Sequence, residues 1–390
     1  MANNSSFSRA KKAKSDEFYT QYDDIQKEIE AYFEYNSDTF RGKVVYCNCD
    51  DPFESNFFRY FVLNFNKLGL KQIITTSYKP SPVANTQLQL FGNDKTLTKS
   101  KGRPKVTANK FIINEVHDID GDGEFNLKDV AKQLKANKHN EWTPLDRDGD
   151  FRSDECINLL KQSDIVATNP PFSLFRPYIK QLFDYNKNFI IIGNLNAITY
   201  KEIFPLIKNN KLWLGVTMDG RNKWFQVPDD YPIRENVANS KIEGGKKYLF
   251  VKGCLWFTNL DHGRRHQSLP LMTKSDVIKF VTKKPFVKYD NYDAIEVSLV
   301  KNIPKDYKGV MGVPISFLNK YNPDQFEIIG NGQTMANELG IKPVGQKFVD
   351  DYYAQGNKGQ INAKWNNLVY HIGEKVCVPY QRILIKHKKK

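Results

Sequence analysis

The sequence predicts an α/β fold built on a parallel sheet, and three observations carry that expectation. Helix-spaced and strand-length apolar segments alternate from residue 23 to 216, an order that lays successive strands side by side with helices between them. Short apolar runs, such as the isoleucine-rich 188–193, have the length of buried strands rather than membrane spans. From 261 to 390 the rhythm weakens and Pro, Gly, Asn and Tyr become frequent, so this part reads as a separate, irregular α+β region.

The elements follow in order. Ile25, Ile29, Tyr32 and Phe33 give 23–33 helical spacing, and 43–47 is a short buried strand. Residues 57–68 return to helical spacing and 72–77 form a second strand; strand, helix, strand is the parallel α/β unit. Prolines, glycines and lysines from 79 to about 110 break the pattern as a surface insertion. Helices at 154–161 and 174–185 then alternate with strands at 164–168 and 188–193, and a helix at 200–208 and a strand at 211–216 add one more pair. A further strand, 254–259, comes after a polar stretch carrying aromatics. The expected organisation is a basic tail at 1–14, a main domain at 15–260 with an insertion at 79–145, and a last region at 261–390 ending in a basic tail.

With 390 residues, 40% hydrophobic and 26% charged, the chain can bury a core without disulfides or metal. Five scattered cysteines with no C-x-x-C pair argue against a disulfide framework and a zinc site, and the N-terminal residues lack the apolar stretch of a secretory signal. A cytoplasmic protein with reduced thiols is expected. Fifty-eight Lys and Arg against forty-four Asp and Glu leave a formal charge of +14, which favours a polyanion such as nucleic acid.

The strongest local signal is the strand 164–168 ending in Asn169-Pro170-Pro171-Phe172. Ligands of such sheets bind beyond the carboxyl ends of strands, and two consecutive prolines remove two amide donors from a stiff turn. The Asn169 side-chain oxygen and the Pro170 carbonyl can accept both hydrogens of an exocyclic amine, and Phe172 offers an aromatic face to a base that has left its helix. Gly149-Asp150-Phe151 stands nineteen positions before Asn169, with a helix and a strand between.

These residues resemble the amino-methyltransferases that act on adenine N6, cytosine N4 and some protein glutamines, with signature (D/N/S)-P-P-(Y/F/W). The closer resemblance is to the EcoRI-type DNA adenine methyltransferases, in KSDEFYTQY (14–22), VVYCNCDDP (44–52), the run 147–153, TNPPFSLF (168–175), ITYKE (198–202), CLWFTNLD (254–261), KYDNYDAI (288–295), GVMGVPISFL (309–318) and RILIK (382–386). Segments 79–145 and 330–380 fit it poorly. The resemblance implies a Rossmann-like methyltransferase sheet followed by a DNA-recognition region, S-adenosylmethionine as cofactor, and methylation of a flipped adenine in double-stranded DNA, with a cognate restriction endonuclease as a possible companion.

Residue by residue, it implies amine contacts at Asn169, Pro170, Pro171 and Phe172. Cofactor contacts fall on Phe18, Tyr19, Thr20, Cys49, Asp50, Asp51, Pro52, Ser77, Asp150, Phe151 and Asn169, with Asp150 accepting the adenine amine and Phe151 packing on the ring. Two departures stand out. The glycines usual after the first strand are missing, and Thr76, Ser77 and Tyr78 replace the acid usual after the second.

Arg221, Lys223 and Trp224, with Lys246 and Lys247, and then Arg264, Arg265 and His266 after His262, mix cations and aromatics as DNA contact requires. Residues 118–129 follow a calcium-loop pattern through its eighth position but carry Asp at the twelfth and lack an entering helix, so an acidic turn without metal is expected. The alternatives are a methyltransferase acting on RNA or protein glutamine, and a non-methylating DNA-binding protein or nuclease in which N-P-P-F is incidental.

Overall fold

A computed structural model describes residues 20–49, 55–78, 108–119, 127–136, 138–217, 223–227 and 239–388. The chain divides into two compact units, Met1–Leu195 with Leu214–His262, and Asn196–Trp213 with Gly263–Lys390.

In the first unit α1 (Tyr22–Tyr35) buries Ile25, Ile29 and Tyr32 at helical spacing, with Glu28 among them. All four side chains of β1 (Val44–Cys47) are buried. Ser55 starts α2 (Asn56–Leu63) by accepting from Phe58 N at 3.2 Å, and α3 (Phe65–Leu68) stops at left-handed Gly69. β2 (Gln72–Thr76) runs parallel to β1.

The second half of the 79–145 segment adds to the same sheet. β3 (Asn109–Ile113) pairs antiparallel with β2, and β4 (Glu141–Pro144) with β3, while α4 (Leu127–Ala136) joins them. Buried Phe111 and Ile113 explain why this part is strand. Within the calcium-like segment, buried Asp129 accepts from Ile119 N at 3.0 Å; residues 120–126 lie outside the described residues.

After Ser153, which caps α5 (Asp154–Gln162) through Cys156 N, come β5 (Ile165–Thr168) and a 3-10 turn at Phe172–Leu174. α6 (Phe175–Asp184) and β6 (Asn188–Asn194) complete the parallel part. β7 (Trp213–Leu214), β8 (Lys223–Val227), β9 (Ser240–Glu243), β10 (Lys246–Val251) and β11 (Cys254–Thr258) follow. The main sheet has the order β4-β3-β2-β1-β5-β6-β11-β7, and β8-β10-β9 form a separate antiparallel sheet. The sheet is therefore mixed, with parallel β2-β1-β5-β6 at its centre and antiparallel strands on both sides. From β1 the chain first moves out to β2 and later returns to β5 on the other side. Such a reversal is where open α/β sheets have their ligand crevice, here at the carboxyl ends of β1 and β5.

Only two of the residues 211–216 form strand, and Glu28 supplies the reason. Its buried carboxylate accepts Val216 N at 2.8 Å, Thr217 N at 2.7 Å, Thr217 Oγ1 at 2.7 Å and Tyr32 OH at 2.9 Å. These amides turn away from the ladder toward α1. Gly215 lets the backbone pass, because a Cβ there would lie 2.2 Å from Glu28 Oε1.

In the second unit β12 (Ala294–Glu296), β13 (Val310–Pro314), β17 (Arg382–His387) and β14 (Phe326–Asn331) form a four-stranded sheet in that order. Buried Glu296 binds Arg382 at 2.7 Å to Nη2 and 3.0 Å to Nε, and accepts from Tyr289 OH, so the last strand is fixed by charge as well as by its ladder. The hairpin β15 (Tyr370–Ile372) and β16 (Lys375–Cys377), with α7 (Phe204–Lys208) and α8 (Gly345–Ala354), complete this unit. Thr334 Oγ1 donates to Thr199 O at 3.1 Å, which helps hold the segment before α7 to it.

Burial raises the Glu28 carboxyl above its usual range, outweighing the donors around it. The folded protein therefore holds this proton to higher pH than the unfolded chain, and this group's contribution to stability falls as pH rises from the ordinary carboxylate value through the raised one. Glu28→Ala takes the acceptor from the Val216 and Thr217 amides and leaves a cavity under α1, and should cost on the order of 1–3 kcal/mol in urea unfolding. Glu28→Gln removes the titration, so the stability difference between wild type and this variant should fall with rising pH and then level off.

Candidate active site

The crevice edge is built from the residues that follow each parallel strand. β1 runs into buried Asn48, whose backbone oxygen accepts from Thr168 Oγ1, the last residue of β5, and whose Oδ1 accepts from Tyr178 OH on α6. One asparagine thus ties two strand ends and a helix. The sequence contained Asn48 without marking it, because its partners lie 120 and 130 positions away.

Cys49 comes next, in left-handed conformation with φ of 65°. The glycines missing from this turn are replaced by a strained cysteine, a conformation that costs a side-chain-bearing residue about 1–2 kcal/mol. Asp50, Asp51 and Pro52 lie outside the described residues, as do Phe18, Tyr19 and Arg221. Thr20 is described: Asn56 Nδ2 donates to its carbonyl at 2.7 Å, which fixes it beside the start of α2. Its side chain is 3% exposed and its Oγ1 has no hydrogen-bond partner among the described residues. A buried unpaired hydroxyl suits a polar ligand.

At the end of β2, Ser77 is buried and extends the pairing with Asn109, donating its amide at 2.9 Å and accepting at Oγ at 2.8 Å. Gly149, with φ of 79°, passes so close that a Cβ would lie 1.9 Å from Ser77 O. That contact delivers Asp150 to the carboxyl end of β2. Both Asp150 oxygens engage Arg152: Oδ1 accepts its backbone N at 2.8 Å and Nε at 2.9 Å, and Oδ2 accepts Nη2 at 2.6 Å. The guanidinium holds this carboxyl below its usual range.

Phe151 is less accessible than the sequence suggests. It is 5% exposed, with the Tyr178 ring 5.0 Å away edge-on and Arg152 Cζ 5.2 Å from its centroid. Gln181 also donates to its carbonyl at 2.9 Å.

Asn169 is 5% exposed and follows β5 directly. Pro171 O accepts from Leu174 N at 2.9 Å and begins the 3-10 turn, whereas the Pro170 carbonyl accepts no hydrogen bond among the described residues. Phe172 is 8% exposed and belongs to the main hydrophobic core.

The basic residues separate into different roles. Lys223 Nζ pairs with Asp24 at 2.7 Å, and Trp224 packs on Phe250 with centroids 4.8 Å apart. Lys241 Nζ lies 5.1 Å from the Trp224 ring and 5.3 Å from that of Tyr248. Arg265 is buried, its Cζ 3.5 Å from the Trp213 centroid and its Nη2 on Asn210 Oδ1. Its neighbours in the turn differ: Arg264 is half-buried and His266 exposed.

A cavity of about 750 Å³ in the second unit, lined by Asp290, Lys347, Phe348 and His371 among others, carries no comparable chemistry. Its Asn291 is committed to Lys342 O, Asn367 O and Val369 N. The carboxyl ends of β1, β2 and β5 are the better candidate, because buried polar groups and a fixed carboxylate follow those strands.

The chain belongs to the EcoRI adenine-specific methyltransferase family, whose profile matches residues 6–388, and it is an adenine-specific DNA methyltransferase. It is 46% identical over 328 residues to the type II methyltransferase M.EcoRI of Escherichia coli, covering 84% of this chain and 89% of that protein. It is 38% identical over 324 residues to M.MgeORF184P of Mycoplasma genitalium, covering 83% and 85% of the two chains. To M.MpnI of Mycoplasma pneumoniae it is also 38% identical over 324 residues, covering 83% and 84%. No solved structure matches. Among the described residues no helix is long and apolar enough to cross a membrane. The readings as an RNA or glutamine methyltransferase, or as a non-methylating DNA-binding protein, fall away with the family.

Gly149 gives the sharpest test of this geometry. Gly149→Ala places a Cβ into backbone at a left-handed position, so the loop must move and carry Asp150 with it. Binding of S-adenosylhomocysteine should fall by tenfold or more, an energy of about 1.4 kcal/mol, alongside the loss of melting temperature that a left-handed alanine brings. Gly42→Ala, also left-handed but in open space, should leave binding unchanged.

Proposed function

We propose that the enzyme methylates adenine N6 in double-stranded DNA, with S-adenosylmethionine bound across the carboxyl ends of β1 and β2 and the target adenine at Asn169. The observation that carries this reading is the placement of Asn169 and the open Pro170 carbonyl at the strand switch point, beside the Asn48–Thr168 tie. The central strands are read as the Rossmann-like methyltransferase sheet, 15–260 as the catalytic domain, and 261–390 as the target-recognition region. A DNA substrate supports a cytoplasmic enzyme, and its relatives' type II names favour a cognate restriction endonuclease as companion.

The residues present fit the cofactor. Thr20 Oγ1 can donate to its amino-acid carboxylate, the Cys49 turn brings backbone close, and Asp150 can accept from its adenine amine. When bound, the cofactor supplies an activated methyl group on a sulfonium. Phe18, Tyr19, Asp50, Asp51, Pro52, Ser77 and Phe151 complete the proposed shell.

Asn169 Oδ1 and Pro170 O each accept one hydrogen of the adenine amine, which pulls its lone pair out of conjugation and aims it at the methyl group. A neutral amide suffices, because the amine becomes acidic only once it carries the methyl group and can then release its proton to water. Two buried acceptors fixed before reaction need no reorganisation in the transition state. Asn169→Ala should therefore lower kcat by at least a hundredfold with DNA and cofactor affinity nearly unchanged, measured as labelled methyl transferred to DNA. Methyl on cytosine, or near wild-type turnover, contradicts the adenine reading.

Phe172 stacks on the extruded base in this proposal, for which its ring must turn from the core. Phe172→Leu keeps most of the core volume and removes the aromatic face, so it should weaken capture of the base by about 1–3 kcal/mol. A 2-aminopurine at the target position, fluorescent when unstacked, reads that loss directly.

DNA contact is assigned to Arg264, His266 and Arg221, the other members of the expected set, Lys223, Trp224 and Arg265, being held by Asp24, Phe250 and Trp213. The packing divides the pair of arginines. Arg264→Ala should reduce the slope of log K against log salt by about one. Arg265→Ala should instead leave the slope unchanged and lower the melting temperature, since its guanidinium rests on Trp213.

A further inference from the structure

We infer that Arg152 is a positioning residue of the cofactor site, holding the Asp150 carboxylate so that its one remaining acceptor position is turned to the adenine amine of the cofactor. The inference rests on the reading that Asp150 meets that adenine.

An ionised carboxylate has about four lone-pair positions. Arg152 fills two on Oδ1, through its backbone N and Nε, and one on Oδ2, through Nη2. One position on Oδ2 is left, and an adenine amine needs one. Two side-chain contacts from a planar fork fix the carboxylate in orientation as well as place, which a single contact does not.

The backbone is fixed in the same way. Asp150 N donates to Asp148 Oδ1 at 3.1 Å, Ser153 N donates to Asp150 O at 2.9 Å, and Gly149 lies against Ser77 O. Arg152 itself is not needed for the core: its side chain is 58% exposed, and that of Asp150 is 20% exposed. An exposed arginine clamping a mostly buried carboxylate at the mouth of a site orients a ligand contact better than it stabilises a fold. The lowered proton affinity of Asp150 acts in the same direction, since it keeps the group an acceptor only.

The test compares S-adenosylhomocysteine with S-inosylhomocysteine, in which a carbonyl replaces the 6-amino group. A carboxylate accepts from the amine and repels the carbonyl. Calorimetry on the full chain should give strong preference for the adenosyl compound in wild type and little preference in Asp150→Ala. Arg152→Ala should reduce the preference by about tenfold, and the double variant should discriminate no worse than Asp150→Ala alone. Arg152→Lys keeps the charge without the fork and should recover only part.

A merely structural Arg152 would weaken both ligands equally and leave their ratio intact, which overturns the proposal. So does tighter adenosyl binding by Arg152→Ala, because Arg152 would then be competing with the ligand. If Asp150→Ala keeps the full preference, the underlying cofactor reading fails too, and that result is distinguishable from failure of Arg152 alone.

Discussion

The hydrogen bonds at Asn48 govern the reactive edge, because they lock two strand ends at the point where the winding of the sheet reverses. Parallel strands of four residues have short ladders, and the loops beyond them would otherwise move independently. Thr168 on the Asn48 carbonyl joins β5 to β1, and Tyr178 on the Asn48 side chain joins α6 to both. Asn169 follows Thr168 by one residue and Cys49 follows Asn48 by one. Asn169 and the Cys49 turn are therefore each one peptide away from a fixed point.

Much of this was legible in the sequence, and the reasons differ by residue. Apolar stripes announced α1, β1, β2, α5, β5, α6, β6 and β11, because these elements bury one face or both. The strand end at Asn169 was legible because Asn-Pro-Pro is a backbone statement as much as a chemical one. Glu28 was not, since a single acid within a helical stripe has the look of a solvent-facing residue. Its effect on β7 was equally hidden, because the bonds that end that strand come from a helix nearly two hundred positions earlier. Arg152 stood two residues after the expected acid, yet spacing alone does not tell a fork on Asp150 from an exposed cation.

Burial also changes how the aromatic and basic residues are to be understood. Phe151 and Phe172 have the identities the resemblance implied, but both are packed, one under Arg152 and against Tyr178, the other in the main core. Several cations behind the formal +14 are matched locally: Lys223 by Asp24, Arg152 by Asp150, Arg382 by Glu296 and Arg265 by the Trp213 ring. Net charge draws DNA toward the protein at long range. In the proposed reading contact falls to cations outside these four pairs, and a count of Lys and Arg does not identify them.

The two kinds of polar group at the crevice suit different tasks. Toward the proposed target base stand neutral acceptors, the Asn169 amide and the Pro170 carbonyl, neither of which can take a proton at working pH. Toward the proposed cofactor adenine stands a carboxylate whose charge is secured by a guanidinium. An ionised carboxylate, which the D-P-P form of the signature supplies at this position, is a stronger acceptor, but its charge attracts a cationic methyl donor in the ground state as well as in the transition state. A neutral acceptor buried at 5% exposure avoids that uniform attraction and acts chiefly when the amine nitrogen pyramidalises. In the proposed roles, the charge at Asp150 and its absence at Asn169 suit two different tasks: recognition of the cofactor holds from binding onward, whereas activation of the amine matters only as the methyl group moves.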